Sequence, residues 1–80
     1  MKDSLALLIQ SQEIQLEIAH HLKKQRKEGK LSQSELSDLS GVSLGSLKRF
    51  EQTGEISLSS LVKIALVMHL EQDLLHLFES

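Results

Sequence analysis

The 80-residue chain has no cysteine and no proline, and only four glycines. Without cysteine there is neither a disulfide nor a thiolate zinc site to reinforce a small core, and a reducing cytoplasm is compatible. The missing proline and scarce glycine leave little to interrupt helical backbone. Long apolar runs are missing too, and none approaches the roughly 20 residues needed to span a bilayer. The longest, Leu5 to Ile9, is also too short, and too weakly charged at its flank, for a secretion signal. What remains is dominated by Leu, Ser, Glu, Gln and Lys, the composition of an all-helical chain. The expectation is one soluble, cytoplasmic, all-α domain, which near this size buries only about 60% of its unfolded surface.

Excess positive charge is lacking as well. The formal net charge is −2 with histidine neutral, whereas a general nucleic-acid binder is normally basic. The charges are segregated, however. Lys23, Lys24, Arg26, Lys27 and Lys30 cluster against Glu28 alone, and Lys48 and Arg49 stand together further on. Most acids lie elsewhere, at Glu13, Glu17, Glu55, Glu71, Asp73 and Glu79. One basic face on an acidic body is compatible with binding DNA, with weak non-specific affinity because few phosphates are neutralised. Cations complementing the dipole at the end of a first helix account for the cluster equally well.

The most informative stretch runs from Leu31 to Glu51. Ser32 and Glu35 have the spacing of a capping box, in which each side chain satisfies a free N–H at the helix start. Leu36 and Leu39 follow and are expected to face inward. Gly41 can take the positive φ of a tight turn. Ser43 then caps a second helix in which Leu47 and Phe50 repeat three residues apart. Two short helices joined by a glycine turn form a helix-turn-helix unit, whose second helix can enter a DNA major groove.

Five helices are predicted, at about 13–28, 33–40, 44–51, 58–69 and 72–78. The first carries Ile14, Ile18, Ala19, Leu22 and Arg26 on one stripe and stops at Gly29. Ser57 is a plausible cap for the fourth, in which Leu58, Leu61, Ile64, Ala65 and Met68 are expected to face the core. Residues 1–12 stand apart as an apolar N-terminal extension to a domain at 13–80. Their Leu5-Ala6-Leu7-Leu8-Ile9 segment either lengthens the first helix or serves as an interface arm, since exposed apolar patches usually mark interfaces.

The ordered set Leu31-Ser32-Gln33, Glu35-Leu36, Gly41-Val42-Ser43, Ser46-Leu47, Phe50-Glu51, Gly54 and Ser57-Leu58 resembles the Cro/C1-type (XRE) helix-turn-helix family. That family includes the lambdoid phage repressors, and the resemblance covers roughly Ile18 to Phe78. It implies a five-helix bundle of the lambda-repressor type that binds double-stranded DNA. Gln33 matches the residue that binds a phosphate at a helix start, and Ser43 and Ser46 match positions touching backbone phosphates. Leu44, Gly45, Lys48 and Arg49 match the groove-facing positions of base readout. Arg26 and Glu51 match a pair that forms a buried salt bridge in some members. The last helix of phage repressors pairs with its copy, which would make Leu74, Leu75, Leu77 and Phe78 a dimer interface; alternatively they only close the bundle. A dimer sets two recognition helices about 34 Å apart and implies a palindromic operator.

There are departures from the family pattern. Where phage repressors often carry glutamine, this chain has Leu44 and Gly45, neither able to pair with a base edge as an amide does. Direct readout therefore falls to Lys48 and Arg49. Gly45 costs about 1 kcal/mol inside a helix, and a close approach to DNA or another helix is a reason for it. The following loop, often basic in the family, has Glu55 and Ile56.

Catalysis has little support. His20 and His21 are adjacent and point apart on a helix, and His69 and His76 have no third ligand at a recognisable spacing. Neither a metal, a cofactor nor an enzymatic activity is expected. Three functions stay open. They are an operator-binding homodimeric repressor, an autorepressing antitoxin that also binds a kinase-type toxin, and a protein-interaction module that does not read DNA.

Overall fold

A computed structural model describes residues 3–79. Five helices follow one another: α1 (Asp3–Glu28), α2 (Gln33–Ser40), α3 (Leu44–Thr53), α4 (Leu58–Val67) and α5 (Glu71–Leu75). The all-α class and the helix-turn-helix bundle hold. α3 packs on α1, α2 packs on both α3 and α4, and α5 packs on α4.

The caps explain where α2, α3 and α4 begin. Ser32 accepts from the Glu35 N–H at 3.0 Å while the Glu35 carboxylate accepts from the Ser32 N–H at 2.8 Å. These bonds hold the exposed Glu35 carboxyl below its usual value, the Ser32 backbone contributing most. Ser43 and Ser57 cap α3 and α4 in the same way, each hydroxyl accepting from an N–H three residues on. Gly41, at φ 78°, ends α2 in the left-handed region.

Several boundaries differ from those expected. α1 begins at Asp3, so the described part of the extension is its first turns, there being no proline, glycine or competing cap to stop it earlier. It spans 26 residues, about 39 Å. Its end is not set by Gly29 taking the left-handed conformation; Lys30 does so at φ 58°, and the Leu31 N–H reaches back to the Arg26 carbonyl at 3.1 Å. α3 runs on to Thr53. α4 stops at Val67, because His69 turns left-handed and the Leu70 N–H bonds to the Ala65 carbonyl at 2.8 Å. α5 is shorter than expected at its far end. Its first residue has no side-chain cap, and Phe78 beyond it also has positive φ.

The core joins Leu36, Val42, Leu47 and Ile64, with Leu31, Ile56, Val67 and Met68 against it. Ala19, Phe50 and Ala65 are buried as well. Three expected core residues point outward instead: Ile14, Leu39 and Leu58 are 59, 64 and 71% exposed. Helical geometry gives the reason for Ile14, which at about 100° per residue stands about 140° from Ala19. Leu58 lies about 20° from the buried Ala65 on the same count and is exposed as the first residue of α4. Val42, on the turn, joins Leu36 in the core where Leu39 was expected. Ile18 is also largely exposed.

Gly54 sets how closely α3 meets α1. It caps α3 at φ 82°, and a Cβ there would lie 2.6 Å from the Gln15 carbonyl carbon. Both conformation and space require glycine.

Candidate nucleic-acid interface

One side of α3 buries Leu47, Phe50 and Glu51. Glu51 is a carboxylate among apolar groups, and burying it alone would be costly. Arg26 of α1 meets it fork to fork, Nε donating to Oε2 at 2.7 Å and Nη2 to Oε1 at 2.9 Å. The two residues are only 7 and 6% exposed. Arg26 Nη1 also donates to the Leu31 carbonyl at 2.8 Å, and Gln33 Nε2 donates to Glu51 Oε1 at 2.9 Å. Burial pushes the Glu51 carboxyl up, but the bonds from Arg26 and Gln33, with the charges of Arg26 and Lys23, leave it below its usual value. One cluster thus joins the last turn of α1, the α1–α2 turn, the first residue of α2 and α3. Docked this way, α3 has one fixed face.

The opposite face of α3 is Gly45, Ser46, Lys48, Arg49 and Gln52, all exposed, while Leu44 is half-buried. Ser43 Oγ accepts from the Ser46 N–H at 3.1 Å and donates to Ser46 Oγ at 2.8 Å, so both hydroxyls begin as cap partners. A Cβ on Gly45 would meet nothing within 4 Å. Among the described residues no neighbouring helix accounts for this glycine. Lys48 has no ion-pair partner among the described residues. Arg49 does have one: its Nη2 donates to the Glu55 carboxylate.

Gln33 keeps its N-terminal place on α2, but its side-chain amide is held by Glu51. Of the α1 basic residues, Lys23 is half-buried and acts on Glu51, while His20, Lys24 and Lys27 line a shallow groove with it along α1.

The C-terminal residues named for dimerisation do not share one helix face. Leu74 is half-buried and lines a cleft with Ile18, Leu22 and Leu61. Leu75, Leu77 and Phe78 are exposed, Phe78 completely, and the last two lie beyond the end of α5.

Sequence reasoning missed the partner of Arg49 and the role of Thr53. The Thr53 hydroxyl donates to the Arg49 carbonyl at 2.8 Å and accepts from the Glu55 N–H at 3.1 Å. The only signal was an acid six residues after the arginine with Gly54 between them, which is meaningful only once the path of the turn is known.

A family model described as helix-turn-helix matches residues 22–71, more than half of the chain. No curated protein matches, and no solved structure does.

Proposed function

The chain belongs to the Cro/C1-type helix-turn-helix family of DNA-binding regulators, and from that premise we propose that it is a sequence-specific transcriptional repressor acting as a homodimer in the cytoplasm. Lys48 and Arg49 are the base-reading side chains, with Leu44 offering only apolar contact and Gly45 letting the helix backbone come close to the duplex. Gln33, Ser43 and Ser46 meet phosphates, backed by the cations of α1. Two copies joined through Leu74, Leu75, Leu77 and Phe78 would bind a palindromic operator and occlude the polymerase.

The observation that carries this reading is the locked orientation of α3. The Arg26–Glu51–Gln33 cluster turns Lys48 and Arg49 to solvent on one face, and no part of the described chain covers them. Such a face suits a major groove, where arginine on guanine N7 and O6 is the commonest specific contact. Selection from a random duplex library, followed by gel shifts with Lys48→Ala and Arg49→Ala, tests it. A defined motif that both variants degrade is expected; an unchanged motif rejects the readout assignment.

One observation favours a second reading, an autorepressing antitoxin of a kinase-type toxin. Leu5, Leu7, Leu8 and Ile9 on α1 are all 48% exposed or more, and the chain is acidic overall. Co-purification with the product of the adjacent gene distinguishes it from the first.

A further inference from the structure

The exposed edge of α3 carries a closed ring of interactions that DNA reading by itself does not explain. The Thr53 hydroxyl joins the Arg49 carbonyl to the Glu55 backbone N–H. Gly54, pressed against α1, turns the chain back so that Glu55 lies beside α3. The Glu55 carboxylate then accepts from the Arg49 guanidinium. Both side chains of this pair are more than half exposed, at 68 and 56%. An ion pair in water contributes little to stability. An acid beside a DNA-facing helix also repels phosphate. Glu55 is therefore poorly explained by folding, and it opposes indiscriminate binding.

Its effect on Arg49 is specific. Arginine has five N–H donors in a rigid fork, and the Arg49 side chain makes no other hydrogen bond among the described residues. An untethered arginine on such a surface can swing to the nearest phosphate, a contact that positions the protein without reading sequence. Tethered, it presents its remaining donors in one direction, which lowers the ordering cost of a two-pronged contact to guanine. We propose that Glu55 is a specificity-determining residue that positions Arg49, aiming the guanidinium at a guanine edge and withholding it from the backbone phosphates. This rests on Arg49 being a base-reading side chain.

Random duplex selection on the full chain, Arg49→Ala, Glu55→Ala and Glu55→Gln tests it, with a thermal melt of each. Arg49→Ala is expected to erase a guanine column from the selected motif, and Glu55→Ala to flatten the same column while melting as the parent does. Glu55→Ala should also bind an unselected duplex more tightly, its log–log salt slope steepening by about 0.9, one extra phosphate contact. Glu55→Gln, keeping an acceptor without the charge, should fall between. If Glu55→Ala selects the parental motif undiminished, or loses affinity equally for every duplex, the positioning role is overturned while the Arg49 assignment stands. If Arg49→Ala leaves the motif intact, the base-reading assignment fails and takes this proposal with it.

Discussion

α3 makes two Arg–Glu pairs of the same chemistry and opposite surroundings. Arg26–Glu51 lies under the helix, shielded and further bonded to Gln33 and the Leu31 carbonyl. Arg49–Glu55 lies on its outer edge in water. Where water is excluded, a carboxylate losing its partner is stranded, and the fold depends on the pair being kept. Where water has access, losing either partner costs the fold little. The same functional groups thus fix the helix on one side and remain available on the other. Burial, not residue type, divides the two pairs.

The largest test of that contrast removes one partner of the inner pair. Arg26→Ala should cost about 3–5 kcal/mol by urea unfolding. A loss near zero would mean that the pair is hydrated and the contrast false. Acid should act on the same pair. Because the folded Glu51 carboxyl is held below its usual value, its stabilisation is fully present above the ordinary glutamate pKa, about 4.3. It is lost as the pH falls through the lower folded-state value. Urea titrations between neutral pH and about pH 3 should therefore show stability falling only at the acid end, and less steeply in Glu51→Gln. Glu35, also held low by its cap, adds to the fall in both proteins.

The outer pair should behave in the reverse way. Arg49→Ala is expected to lose about 1–3 kcal/mol in binding a selected operator, yet to unfold within about 0.5 kcal/mol of the parent. Equal losses in both assays would make Arg49 a structural residue. The smallest effect sharpens the comparison within α3 itself. Gly45→Ala has open space for its new Cβ and no strained backbone to lose, so it should stabilise the fold by up to about 1 kcal/mol. The same substitution should weaken operator binding if the duplex backs onto that turn, and a binding isotherm read beside the melt decides.

Much of the frame was legible in the residues. Ser32 with Glu35, Ser43 and Ser57 announced the starts of α2, α3 and α4, and Gly41 the end of α2, because capping is settled within three or four residues of sequence. Arg26 and Glu51 were paired only through family resemblance, and nothing in their spacing brings α1 to α3. Side-chain direction was less legible. Leu39, Leu58 and Ile14 satisfied a loose three-or-four spacing, but each such step is off by about 40–60° and the spacing does not say which turn of a helix is covered. The neighbours that could have corrected it come from other helices. The shortness of α5 was hidden as well, since its leucines continue where the backbone tightens into three-residue turns.

What the sequence settled by itself is local: helical class, because nothing in it breaks helices, and the starts of the central helices, because each cap closes on its own backbone. Which arginine is locked and which is offered was decided only by the fold. Arg26 and Arg49 are chemically identical in the chain. One is brought beneath α3 by the packing of α1, where a carboxylate and the absence of water hold it. The other is met by Glu55 only because Gly54 turns the backbone against Gln15, a contact between distant residues that no local pattern records.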